Sequence, residues 1–162
     1  MLGVQFTKET EMTPRFANYP SLRGKTVFIT GGASGIGAEL VSAFAEHGAQ
    51  VGFVDMDITG SEALLAELDG SHSFAPCDLR DIAALKAAFA DLETKLGPAQ
   101  ILVNNAARDD RHDWRSVTPD YWDERQNNNL RHMFFAIQAV ADGMIAAGSG
   151  SIINMGSNSW WE

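Results

Sequence analysis

Three glycines spaced G-x-x-x-G-x-G, Gly31, Gly35 and Gly37, stand between the apolar run Val27-Phe28-Ile29 and a segment whose Ile36, Leu40, Val41 and Phe44 recur at helical spacing. The pattern predicts a strand, a glycine turn and a helix. A helix N-terminus carries unpaired N–H groups and the positive end of the helix dipole, so a turn of little bulk lets a phosphate reach the backbone. Gly31 then serves the tight turn, Gly35 the close approach and Gly37 the packing of helix on strand, with Ser34 and Ile36 completing the turn. About 20 residues on, where such a unit places its ribose acceptor, Asp55 closes the next apolar run, Val51-Gly52-Phe53-Val54. Asp55 is either that acceptor or a solvated carboxylate at a strand end. As an acceptor it favours a ribose 2′-OH and repels a 2′-phosphate, and Met56 beside it offers no cation, so the expected dinucleotide is NAD rather than NADP.

The rest of the chain sets limits on this reading. A length of 162 residues suits one domain with a real core, and no apolar run reaches membrane length. A formal charge of −9 disfavours nucleic acid or an anionic membrane as partner, since both require clustered Lys and Arg. Cys77 is the single cysteine, so it forms no internal disulfide, which fits a reducing, cytoplasmic setting. No metal site is expected: Cys77 lacks neighbours at ligand spacing, and His112 and His132 lack spaced partners.

Residues 1–23 are polar, without helical or strand period, and are expected to be a loose tail before a domain over 24–162. Strands are expected at 26–30, 51–55, 73–76, 100–103 and 151–155, with Pro76 suiting an edge location. Helices are expected at 34–47 with Gly48 as its cap, at 57–69 with Gly70 as its stop, and from the N-cap Asp81 to Gly97-Pro98. A long helix opens at Thr118-Pro119 and runs to about residue 147, interrupted by the poor helix formers Asn127-Asn128-Asn129. The alternation implies an α/β fold, a doubly wound, Rossmann-like parallel sheet of about five strands with helices on both faces. Ligands of such sheets bind beyond the carboxyl ends of the strands, where Asp55, Asp78, residues 104–107 and Ser157 fall. The stretch 108–114 and Trp160-Trp161 mix charge with aromatic faces, which suits a polyol or an ordinary polar surface loop.

The glycine spacing after Thr30, the run Asn104-Asn105-Ala106-Ala107, Asn129 followed by Leu130, and Ser157 after Ile152-Ile153-Asn154-Met155-Gly156 together resemble the short-chain dehydrogenase/reductase family. The resemblance implies hydride transfer between an alcohol and a nicotinamide dinucleotide. It places Asp78 and Leu79 against the adenine and Asn105, Ala106 and Ala107 along the cofactor groove, Ala107 standing where the family usually has glycine. Asn129, by itself as readily a kink or a solvent-facing residue, matches the helix asparagine of the family's catalytic set. Ser157, by itself a turn residue, matches its catalytic serine.

Residues 19–25, 109–112, 121–125 and 129–133 look like the aldose 1-dehydrogenases of this family, and the likeness runs from about Tyr19 to Trp160. It implies oxidation of the anomeric hydroxyl of a pentose such as D-xylose to the lactone, with Asp109, Arg111, Asn158 and Trp160 on the substrate side. It also implies a homo-oligomer formed through the long helix. The family's acid–base pair, Tyr-x-x-x-Lys after the serine, has no counterpart, because the only tyrosines are Tyr19 and Tyr121. The expectation is therefore an amino-terminal part of such an enzyme, its sheet incomplete at the carboxyl end and inactive alone. Alternatives are a non-catalytic dinucleotide-binding module, or an enzyme acting on another secondary alcohol.

Overall fold

The structure, a computed structural model, describes residues 17–157. The five apolar runs pair in parallel as β1 (Thr26–Thr30), β2 (Gln50–Asp55), β3 (Ser73–Pro76), β4 (Ile101–Asn104) and β5 (Ser151–Asn154), in the spatial order β3-β2-β1-β4-β5. Pro76 sits on the edge strand β3, where its missing N–H costs no ladder bond. Between the strands run α1 (Gly35–Glu46), α2 (Ile58–Glu67), α3 (Ile82–Leu96), α4 (Pro119–Gln126) and α5 (His132–Ala146). The expected α/β doubly wound sheet is the observed fold.

Alternation along the strands divides the core in two. Val27, Ile29, Val51, Phe53 and Val103 meet Val41 of α1 on one face, with Leu64 and Leu65 of α2 packed against them. Phe28 and Leu102 face the other way, against Leu85, Phe89 and Leu92 of α3 and Ala136, Val140 and Met144 of α5. Phe28 meets Phe89 edge to face at 5.4 Å, and β2 carries Gly52 opposite Phe28, where a Cβ would crowd that ring at 3.0 Å. On β5, by contrast, Ile152 and Ile153 are 41% and 43% exposed.

Local chemistry sets most element ends. Asp57, Asp81 and Thr118 accept from backbone N–H groups at the starts of α2, α3 and α4. Gly48 (φ +79°) and Gly97 (φ +84°) end α1 and α3 in a region that disfavours other residues. Several expected ends shift inward by a residue or two, and two of the shifts have a visible cause. Ser34 is extended, so α1 starts at Gly35, and Leu68 turns extended to pack on the core, so α2 stops at Glu67 before Gly70.

The long helix is interrupted at the expected place: Asn127–Arg131 forms a π-helical turn between α4 and α5 while the flanking residues keep right-handed helical angles. The wider turn inserts a residue and rotates the polar face of α4 relative to the apolar face of α5. Two short 3₁₀ turns, Pro20–Leu22 and Trp114–Ser116, lie in stretches where no period is visible. No helix among the described residues is long and apolar enough to cross a membrane.

Asp81 Oδ1 accepts from both Ala83 N (2.9 Å) and Ala84 N (3.1 Å). Asp81→Ala should destabilise the chain by about 1 kcal/mol, read as a lowered urea midpoint with an unchanged slope.

Candidate dinucleotide site

The strand order reverses between β1 and β4, and the loops leaving these two strands part to opposite faces of the sheet. They open a cleft of about 460 Å³ at the carboxyl ends. Gly31 and Gly37 line its floor, whereas Gly35, exposed in the same turn, is not among the lining residues. Gly31 turns at φ +70° so close to the next loop that a Cβ would lie 2.9 Å from Ala106 Cα. A Cβ on Gly37 would overlap Gly31 O and come within 2.8 Å of Asn105 Nδ2. Gly35 turns at φ +53° with open space where a Cβ would be. The turn is closed against protein at Gly31 and Gly37 and open at Gly35.

Thr30, fully buried at the end of β1, ties the two loops together. Its Oγ1 accepts from Asn105 N and Ala106 N, both at 3.1 Å, and Asn105 Nδ2 donates to Thr30 O (3.2 Å) and Gly31 O (2.9 Å). On the other side Gly31 N donates to Val54 O at 2.8 Å. Asp55 Oδ2 accepts from Ala33 N (2.9 Å), in the turn itself, and Oδ1 from Asp57 N (3.0 Å). Each oxygen keeps a second lone pair for a hydroxyl.

An anion suits this cleft on the evidence of α1 itself. Ser34 makes no side-chain bond to the helix start, whereas α2, α3 and α4 are each capped by a side chain. The first N–H groups of α1 therefore stay available at the cleft floor, beside the open flank of Gly35. The residues present fit a dinucleotide's pyrophosphate there.

Gly31, Ser34, Ile36, Gly37, Asp55, Asp78, Leu79, Asn105, Ala106 and Ala107 all line the cleft. At the Asp78 end an ion-pair chain crosses its mouth. Arg80 pairs with Asp78 (2.7 Å) and reaches Glu124 of α4 (3.8 Å), and Glu124 in turn lies 3.6 Å from Arg108. The hydrogen bond from Arg80 holds the Asp78 carboxyl below the usual carboxylate range. Its stabilisation is present above the unfolded pKa and lost as pH falls through the lower folded one, and solvent exposure keeps it small. Cys77 lies buried in the cleft floor, and burial, reinforced by Asp78, pushes its thiol up to about 11, so it stays neutral near pH 7.

Asn129 sits in the π-helical turn, and its side chain brackets one residue of the facing loop: Oδ1 accepts from Arg108 N (2.7 Å) and Nδ2 donates to Arg108 O (3.0 Å). Its neighbour Asn128 lines the cleft. Ser157 is exposed beyond β5 and does not line the cleft. Asp109 and Arg111 are exposed and pair with each other at 3.7 Å, away from it. Asn158 and Trp160 lie outside the described residues.

Arg80 is not expected at the site from sequence, and Arg108, Glu124 and Asn128 enter only within the stretches 108–114, 121–125 and 127–129, with no cofactor role. Arg80 has a signal in its neighbours Asp78-Leu79; Glu124 has none of its own, because only the docking of α4 brings it to the cleft. No group of three His, Cys, Asp or Glu side chains among the described residues could hold a metal ion.

A family model described as short chain dehydrogenase matches residues 25–160, and the chain belongs to that family. It is 54% identical over 147 residues to a D-xylose 1-dehydrogenase of Caulobacter vibrioides, covering 89% of this chain and 58% of that protein. It is 47% identical over 150 residues to a "probable galactose dehydrogenase" of Rhizobium meliloti, covering 90% of this chain and 59% of that one. The chain thus spans less than two thirds of the length of the curated relatives it matches. Among solved structures, a Serratia marcescens short-chain dehydrogenase/reductase superposes with a TM-score of 0.77 at 32% identity, covering 86% of this chain and 58% of that one. Family membership with this fold implies a nicotinamide dinucleotide cofactor.

Thr30→Val removes the acceptor shared by two part-buried N–H groups. It should cost about 1–3 kcal/mol in denaturant titrations and weaken dinucleotide binding, because the cleft walls lose their tie.

Proposed function

We propose that the chain is the dinucleotide-binding part of an NAD-dependent oxidoreductase that oxidises the anomeric hydroxyl of an aldose, a pentose such as D-xylose, to the lactone. The observation that carries the dinucleotide half is the uncapped start of α1 beside the glycine turn, at the point where strand order reverses. The sugar half is supported by the likeness to the two sugar dehydrogenases, 54% and 47% identical. Bound NAD would take the hydride, with its pyrophosphate on the α1 N-terminus and its adenosine toward Asp55, Asp78 and Leu79.

NAD is preferred over NADP because Asp55 already satisfies two backbone N–H groups as a carboxylate. A 2′-phosphate would set a second negative charge against it. Asn129 keeps the Arg108 backbone fixed at the cleft wall, and Ser157 supplies a hydroxyl to the reacting oxygen at the end of β5. Proton transfer is assigned to a Tyr-x-x-x-Lys pair in the part of the relatives that this chain does not span. The protein is assigned to the cytoplasm, in keeping with its single neutral thiol. It is further assigned to a homo-oligomer through the outer face of α5 and the turn before it, where Leu130, Phe134 and Ile145 are 60%, 64% and 74% exposed.

Calorimetric titration of the chain should give tighter binding of NADH than of NADPH, with Asp55→Ala narrowing the gap. Equal affinities before mutation would remove the NAD assignment. A polypeptide extended to the relatives' length should form NADH from D-xylose, and Ser157→Ala should lower its kcat by about 10²–10³-fold. The 162-residue chain alone should form none. Turnover by that chain would refute the placement of proton transfer, and an extended protein oxidising no pentose would refute the sugar. Sedimentation of the extended protein at micromolar concentration should show a species larger than a monomer.

A further inference from the structure

Asn104 Oδ1 and both ring nitrogens of His132 are buried with no hydrogen-bond partner among the described residues. Both residues are fully buried. His132 opens α5, and the residues one, two and three turns further on, Ala136, Val140 and Met144, pack in the core with Leu102. Asn104 lies two residues beyond Leu102 in β4, so its side chain leaves the sheet on that same face. Because α5 leads into β5, which is parallel to β4, it runs from the carboxyl toward the amino end of the sheet. Its first turn therefore stands level with Asn104.

Buried polar groups in native proteins are paired, to protein or to an ordered water. We propose that His132 and Asn104 Oδ1 share one buried water site, through which the tautomer of the His132 ring and the direction of the Asn104 amide are coupled. The partners are sufficient for a water. It would accept from one imidazole N–H, donate to Asn104 Oδ1, and have a second proton for the Asn128 carbonyl. That carbonyl lies near enough to His132 to act on its titration, without hydrogen-bond geometry. Burial, the larger influence, lowers the His132 pKa and keeps the ring neutral, as a single N–H donor requires.

The bond to β5 alone leaves the amide direction open. Asn104 Nδ2 donates to Asn154 Oδ1 at 2.8 Å, but flipping both amides together would give an equivalent bond in the reverse direction. With a ring N–H turned to the water, the water donates to Oδ1 and Nδ2 points toward β5; the opposite tautomer would go with both amides flipped, so ring tautomer and amide direction are set together. Asn154 then offers its own Nδ2 as a donor at the strand end, two residues after which comes Gly156 and then Ser157. Met155 N, held by Asn104 O at 2.9 Å, fixes the same segment. His132 is thus coupled to the carboxyl end of β5, whatever the substrate.

Long-range ¹⁵N–¹H spectra of the labelled chain should show the His132 ring in one neutral tautomer, with a slowly exchanging ring proton and a water cross-peak to the Asn104 side-chain amide. Asn104→Asp places a carboxylate at the proposed site and should raise the His132 titration by about one pH unit or more. The titration of His47 should stay where it is. A His132 titration unmoved in folded Asn104→Asp would overturn the proposal. Should that variant not fold, the spectra of the unmutated chain decide alone: a fast-exchanging ring proton, or no water contact at Asn104, would overturn it.

Discussion

The near-contact of the Gly31 backbone with the loop after β4 is the constraint on which the carboxyl edge of this sheet depends. With Ala106 Cα only 2.9 Å from where a Gly31 Cβ would be, and Gly37 pressed on Gly31 O, the turn has no room for side chains on its protein side. The buried hydroxyl of Thr30 and the amide of Asn105 convert that closeness into four hydrogen bonds between loops about 75 residues apart. The same geometry leaves the other flank of the turn, at Gly35, exposed, with Ser34 and Ile36 on either side of it lining the cleft. Tight packing on one side and access on the other are two results of one backbone path.

The electrostatics of the cleft follow from which polar groups the fold satisfies and which it leaves over. Three helix starts are capped internally, and the one facing the cleft is left for an anion. Asp55 does two jobs with one carboxylate, bracing the turn through Ala33 N while remaining at the cleft wall. Further along, Arg80, Glu124 and Arg108 join three separate loops and helices by ion pairs of 3.6 and 3.8 Å. These are weak individually, and their effect is to place charge over the cleft more than to hold the fold.

The legible parts of the sequence were those whose cause is local. Asp57, Asp81 and Thr118 cap helices where their chemistry says they should, and the poor helix formers Asn127-Asn128-Asn129 mark the turn that widens to π geometry. The exact limits were less legible: α2 gives up Leu68 to the core, a choice made by packing that no propensity records. Arg108 shows the same limit in the site, since its backbone is set by Asn129, 21 residues away.

By itself the sequence determined the order of strands and helices, the glycine turn and the candidate phosphate-binding helix start, because periodicity, capping and backbone freedom act within a few residues. Only the tertiary structure decided that β1 lies between β2 and β4, that Asn105 therefore reaches Thr30, that Glu124 meets Arg80 and Arg108, and that His132 and Asn104 are both sealed from solvent. Those outcomes depend on which distant segments pair, and pairing is settled by burying two apolar faces at once, a condition that no short stretch of chain contains.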